Sequence, residues 1–219
     1  MGKKQSTPIY KHNGLEVKLG NFKLGDDTLI FNMGQAHRCP SLKRGYCKLG
    51  KKCYAYKDEI RYHHHVPDYR DRQEKYWKNH TGTEFYADLR HILETRKRAK
   101  KPLSKVIRYM RFNESGDFWS QKCIRKLNII AGLLRRDYGI KVYTYSARQD
   151  LDFHGIGFKI HTSGWNDGAH GMTLACNARF LHGKKALWID GKRFVVCPMD
   201  CRKCHVCKKT DLNVVFPLH

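Results

Sequence analysis

The sequence predicts an α/β fold, either a partial (incomplete) βα barrel or an open parallel sheet, completed by a C-terminal hairpin and a cysteine-rich metal loop. Three observations carry that expectation. Short apolar runs alternate with longer stretches of three-to-four periodicity, in the order strand, helix, strand, helix, strand that calls for crossover connections. An Asp-Gly pair between two apolar runs near the end marks a hairpin. Seven of the nine cysteines fall into two groups, Cys39, Cys47, Cys53 and Cys197, Cys201, Cys204, Cys207. No repeat and no Pro/Gly/Ser-rich linker divides the 219 residues, so residues 1–219 are read as one domain. Its core covers 28–176 with the cysteine loop 39–53, and 186–219 form the hairpin and cysteine-rich tail.

Residues 1–26 are polar and Gly-rich, and Thr28-Leu29-Ile30-Phe31-Asn32-Met33 reads as the first buried strand, ending at Gly34. After Pro67 a charged stretch from Asp68 to Asn79 reads as helical. A second helix is predicted from about Thr83 to Arg98, with Phe85, Leu89, Ile92 and Leu93 on one face and Pro102 as its stop. Val106 to Phe112 reads as a strand that ends in Glu114-Ser115-Gly116-Asp117. Phe118 to Tyr138 is the longest helical pattern, carrying Trp119, Ile124, Leu127, Ala131 and Leu134, with Gly139 as its stop. Ile140 to Tyr145 gives a third strand, Phe158-Lys159-Ile160-His161 a fourth and Leu174-Ala175 a short fifth. Leu187 to Val196, folded at Asp190-Gly191, is the hairpin.

Lys+Arg 43 against Asp+Glu 20 leaves a net charge of +23, while 41% hydrophobic and 12% aromatic residues are too many for a disordered polycation. The chain has no run of about 18 apolar residues, so no membrane span is expected. The opening MGKKQSTPIY lacks the apolar stretch of a signal peptide, so a cytoplasmic protein is expected. Thiols stay reduced there, so clustered cysteines point to metal rather than disulfides. Cys123 and Cys176 lie within apolar periodic stretches and read as small buried hydrophobes.

The second group has the spacing C-x3-C-x2-C-x2-C, four thiols inside eleven residues. Structural zinc commonly joins two separated C-x2-C knuckles, whereas overlapping steps of this kind are common in iron–sulfur loops. A four-iron cluster is therefore the leading reading and zinc the alternative. Arg202, Lys203, Lys208 and Lys209 would offset the negative charge of such a centre. The first group offers three thiolates. Gly45 to Lys57 looks like a CCCH zinc finger, but Lys57 stands where the histidine belongs, and a protonated amine is a poor ligand. His63, His64 or His65 could substitute. The other reading leaves one iron of a four-iron cluster open to a small ligand, so the chain holds one or two clusters.

Three cysteines just after a first strand, followed by Ser115-Gly116-Asp117 at the end of the next, resemble the radical S-adenosylmethionine enzymes. That resemblance implies an open iron at Cys39, Cys47 and Cys53, with S-adenosylmethionine bound by Ser115, Gly116 and Asp117 and its ammonium on Asp117. The C-x3-C-x2-C at Cys197, Cys201 and Cys204 departs from the pattern, being near the C-terminus. More specifically, Cys53-Tyr54-Ala55, Ser115-Gly116-Asp117-Phe118, Tyr143-Thr144-Tyr145 and Cys197 to Cys207 resemble, in order, the phage family called gene product eighty-eight over about residues 28–219. This implies a virus-encoded, barrel-like iron–sulfur protein, located in the host cytoplasm if phage-encoded, and brings no established reaction.

Glu114, Ser146, Arg148, His161 and Ser163 end later strands and are candidate pocket residues, since ligands of parallel sheets collect at such ends. The basic surplus points to nucleic acid, DNA or RNA. Lys43, Arg44, Lys51 and Lys52, with Lys48, ring the first group. Arg96, Lys97, Arg98, Lys100 and Lys101, with Arg90 and Lys105, form a denser patch. Tyr46, Tyr54, Tyr56, Tyr76 and Trp77 are candidates to stack on unpaired bases. Three functions follow: an iron–sulfur, nucleic-acid-modifying radical enzyme, a non-enzymatic nucleic-acid-binding module stapled by zinc or iron–sulfur sites, or a phage inhibitor or adaptor of a host nucleic-acid enzyme such as a polymerase or nuclease.

Overall fold

Asn13-Gly14 opens the fold with a turn that the sequence reading passed over. Both residues have positive φ, 44° and 81°, the geometry of a tight two-residue hairpin for which Asn-Gly is the preferred pair. The computed structural model describes residues 7–21 and 23–218. The turn joins β1 (Ile9–His12) to β2 (Leu15–Leu19), and β2 pairs antiparallel with β3 (Thr28–Phe31). The strand expected first is thus the third, because Leu15, Val17 and Leu19 bury one face of a segment judged by its Gly and polar content.

Four helices follow β3: α1 (Pro40–Lys43), α2 (Tyr54–Arg61), α3 (Val66–Asn79) and α4 (Gly82–Thr95). A small pair, β4 (Lys97–Arg98) with β5 (Lys101–Pro102), precedes α5 (Leu103–Val106), β6 (Tyr109–Phe112), α6 (Gln121–Tyr138) and β7 (Lys141–Ser146). The chain ends through β8 (Lys159–Ser163), β9 (Gly171–Asn177), α7 (Ala178–Leu181), β10 (Ala186–Ile189), β11 (Lys192–Val196), α8 (Cys201–Cys204), α9 (Val206–Lys209) and β12 (Asn213–Leu218).

The ten larger strands form one mixed sheet in the order β1-β2-β3-β6-β7-β8-β9-β12-β11-β10. Neighbours from β3 through β11 run parallel, and β1, β2 and β10 join antiparallel at the two ends. The hairpin and tail are therefore continuous with the core sheet. β12, absent from the sequence reading, slots between β9 and β11.

Several boundaries move for local reasons. The helix expected to begin at Phe118 begins at Gln121, because Phe118 N–H is held by the Asp117 carboxylate and the Trp119 indole donates to the Met33 carbonyl. The helix expected to reach Arg98 ends at Thr95, where Ala99 and Lys100, both at positive φ, turn the chain into β4–β5. Leu103–Val106 is a helical turn rather than the start of a strand. α4 itself starts with a full capping box, Thr81 and Glu84 satisfying each other's backbone N–H.

Strand alternation gives the sheet two different faces. Leu29, Phe31, Met110, Phe112, Val142 and Ile160 meet α3, α4 and α6 in the main core. Phe31, Trp77, Phe85 and Phe112 pack there with ring centroids 4.9 to 5.9 Å apart, and each buried ring contributes about 1.5–3 kcal/mol. Tyr109, Arg111, Tyr143, Tyr145 and His161 alternate onto the opposite face, where the cysteine-rich tail lies and α9 packs on β7 and β8. Lys208 fastens that tail: its buried ammonium sits 3.1 Å from Thr28 Oγ1 and 4.5 Å over the Tyr109 ring. Cys123 and Cys176 are partly buried against the main core and a smaller one around Phe194, respectively.

Candidate functional site

The loop after β3 carries the first thiol group. Cys39 immediately precedes α1, Cys47 lies in the following turn and Cys53 immediately precedes α2. A buried ion pair holds this loop: Glu59 accepts from Ala36 N–H (2.6 Å), His37 N–H (3.2 Å) and Arg70 Nη1 (2.8 Å), while Arg70 also donates to the Ala55 carbonyl. One carboxylate thus ties the approach to Cys39 to the helix that follows Cys53. Burial pushes the Cys39 thiol up to about 12, with Asp117 and Cys47 adding to the rise and the backbone at Leu42 and Ser41 opposing it by hydrogen bonds. Cys47 is also raised, first by burial and then by Cys53 and Asp117, against hydrogen bonds from the backbone at Leu49 and Gly50. All three cysteines thus lie in the segment that leaves the C-terminal end of β3.

Ser115, Gly116 and Asp117 stand beside them at the end of β6. Gly116 has φ +74°, and a Cβ there would lie 2.9 Å from the Gly34 carbonyl oxygen, so the ends of β3 and β6 approach closely only with glycine. Asp117 is buried and accepts from Ser41 Oγ (2.5 Å), Ser146 Oγ (2.8 Å), Phe118 N–H (2.8 Å) and Ala147 N–H (3.0 Å). Its carboxylate is committed to fastening α1, β6 and β7 together, which leaves no open lone-pair direction for the ammonium expected from the sequence. Burial still raises its pKa above the ordinary carboxylate value despite these donors. Ser115 Oγ is buried with no hydrogen-bond partner among the described residues, so it is the member of the turn with bonding capacity left.

The second thiol group faces a different place. Cys197, Cys201, Cys204 and Cys207 line a cavity of about 50 Å³ on the sheet face opposite the helices, together with Arg111, Tyr143 and Tyr145. Cys197 and Cys201 are raised by burial, and other thiols of the same group add to both. Cys207 is pushed up to about 11 by burial, against a hydrogen bond from the Tyr145 hydroxyl. Arg111 Nε, Tyr143 Oη and His205 Nδ1 are buried around this cavity with no hydrogen-bond partner among the described residues. Arg111 also reaches the first group's loop: its Nη2 donates to Tyr54 Oη at 2.9 Å, and its guanidinium lies 5.2 Å over the Tyr145 ring. Tyr54, next to Cys53, in turn donates to the Glu114 carbonyl. Burial works to raise the Glu114 carboxyl, but Lys18 at 2.6 Å and Arg111 outweigh it and hold the pKa below the ordinary value.

As the side chains stand, no set of three or more His, Cys, Asp or Glu among the described residues could hold a metal ion. What the residues would offer a thiolate-bound metal is their chemistry: soft sulfur donors, backbone hydrogen bonds to Cys39, Cys47 and Cys197, and a cavity lined by four cysteines with buried donors that have no partner among the described residues. His63, His64 and His65 are exposed and pack ring against ring between α2 and α3.

The other candidates scatter. Arg148 forks onto Asp150 at 2.7 and 2.8 Å, Ser146 belongs to the Asp117 cluster, and His161 is buried on the tail side of the sheet. Tyr76 and Trp77 are core residues, 5% and 2% exposed, and are not available to stack on bases. Lys43, Arg44, Lys51, Lys52, Arg96, Lys97, Lys100 and Lys101 are exposed, whereas Arg98 is paired with Asp26 at 2.5 Å. Sequence reasoning missed Arg111, Glu59, Arg70 and Ser41. Only Arg111 left a signal, a lone charge between Met110 and Phe112 in a buried strand.

The family model for Gene product 88 matches residues 3–156. That span contains the first thiol group and Asp117 and stops before Cys197, so the second group lies outside the match, short of the 28–219 expected from the sequence. No curated protein and no solved structure matches the chain.

Proposed function

This chain belongs to the Gene product 88 family, and we propose that it is a cytoplasmic iron–sulfur protein that acts on nucleic acid, its partial-barrel sheet carrying one cluster site at a strand edge and another on its face. The observation that carries this reading is that the loop bearing Cys39, Cys47 and Cys53 leaves the C-terminal end of β3 beside the buried Asp117, to which Ser41 Oγ fastens it. Ligands collect at that edge in such sheets. Three thiolates would hold a four-iron cluster and leave one iron for S-adenosylmethionine, the chemistry supplied being its reductive cleavage. Asp117 then acts by position, locking Ser41 two residues from Cys39 to the ends of β6 and β7. Ser115, with its free hydroxyl, is the group in the turn placed to bond a cofactor. Arg111 contributes positive charge between the two thiol groups.

Cys197, Cys201, Cys204 and Cys207 would hold the second centre, four-iron or zinc. Their closed set of four thiols favours a structural role there. That feature also supports a second reading, in which both centres only staple a nucleic-acid-binding module or an adaptor for a host protein.

The experiment that separates the two is incubation of anaerobic, dithionite-reduced protein with S-adenosylmethionine. The enzymatic reading predicts methionine and 5′-deoxyadenosine, lost in Cys47→Ser and retained in Asp117→Asn variants that keep their iron. A metal-loaded, reduced protein that neither binds nor cleaves the cofactor would leave the module reading in its place.

A further inference from the structure

The C-terminal hairpin carries an arrangement that neither thiol group uses. β10 is the outermost strand at one end of the sheet, and Trp188 in it is 70% exposed. It is the most exposed of the large hydrophobic side chains among the described residues. The antiparallel register puts Trp188 directly opposite Arg193, so the two side chains share a face. Leu187 and Phe194 turn toward the small core with Leu181 and Val215. Alternation therefore sets Trp188 and Arg193 on the other face, the one on which Val195 and Val214 line the four-thiol cavity.

The surroundings are cationic. Arg193 shares the Trp188 face, while Arg179, Lys184, Lys185 and Lys192 lie within 178–196 around the same end of the sheet, α7 and Lys192 on its small-core side, against Asp190 as the sole acid. Phe180 on α7 is 53% exposed, with the Lys184 ammonium 3.7 Å over its ring. Two copies meeting edge to edge here would bring these cations together, which disfavours self-pairing. An anionic partner with flat, accessible rings satisfies both features at once: phosphates answer the cations and bases answer the indole. Duplexes hide the faces of their bases; single strands offer them.

We infer that the outer hairpin β10–β11 is a binding site for single-stranded nucleic acid, with Trp188 stacked on an unpaired base and Arg193 beside it on a flanking phosphate. The inference rests on the nucleic-acid reading above and narrows it to one strand state and one place. Trp188 is exposed, so replacing it leaves no internal cavity.

The test is titration of the anaerobically prepared full chain with an oligothymidine of about 15 nucleotides and with a duplex of equal length at low salt. Emission of the wild type minus that of Trp188→Phe isolates the signal of Trp188. The expected result is quenching of that signal by the single strand, and single-strand affinity about tenfold lower in Trp188→Ala. Arg193→Glu should weaken binding as well, with thermal transitions of both variants unchanged. Single-strand binding with Trp188 unquenched and Trp188→Ala unaffected would overturn this site while leaving the broader nucleic-acid reading intact. No binding of either oligonucleotide would remove both. A dimer dissolved by Trp188→Ala would replace the inference with self-association.

Discussion

Single residues near the first thiol group carry structural duties that their chemistry alone does not announce. Gly116 is the sharpest case, because its positive φ and the 2.9 Å approach to the Gly34 carbonyl act together. Gly116→Ala should lower stability by about 2–4 kcal/mol, combining left-handed strain with a backbone clash, and urea midpoints would show it. Glu59 and Arg70 form a second such point. Breaking the buried pair with Glu59→Ala should cost about 3–5 kcal/mol, and Glu59→Ala/Arg70→Met less than the two single changes summed. The same carboxylate predicts a pH effect. Burial raises the Glu59 pKa, but Ala36 N–H, Arg70 and His37 outweigh it and hold it below 4.5. The unfolded state therefore binds more protons in that window, and stability falls as pH drops from about 5 through the folded-state pKa. In acid titrations followed by circular dichroism, Glu59→Gln should flatten that fall.

Elements explain what was legible beforehand and what was not. β3, α4, α6, β7 and the β10–β11 hairpin were visible because apolar periodicity or an Asp-Gly turn marks them locally. β12 was not, since Val214 and Val215 gain meaning only when β9 and β11 leave a parallel slot between them. The cysteine groups were legible from spacing. The hydrogen bonds that occupy Asp117 were not, because Ser41 and Ser146 lie 76 and 29 residues away in sequence. At this scale the β4–β5 turn makes its own prediction. Lys97, Lys100 and Lys101 are exposed on it, so changing all three to Glu should weaken nucleic-acid binding for every sequence tested. It should also flatten the salt dependence, whose slope is about −0.7 to −0.9 per phosphate contacted. Filter binding across a salt series reads both quantities.

Across the whole molecule, the two sheet faces divide the labour. The helices bury one face into a conventional core, which frees the other to carry Arg111, the tyrosines and a cysteine-rich tail pinned by Lys208. No helix among the described residues is long and apolar enough to cross a membrane, and the chain carries a net charge of +23. Everything proposed about reactivity depends on whether the thiol groups bind iron. The direct measurement is iron, acid-labile sulfide and zinc content of anaerobically isolated protein, compared with Cys47→Ser and Cys201→Ser. The account predicts sulfide matching iron at about four of each per cluster, with each variant losing only the cluster of its own group. Stoichiometric zinc without sulfide, or protein free of metal in both groups, would contradict it.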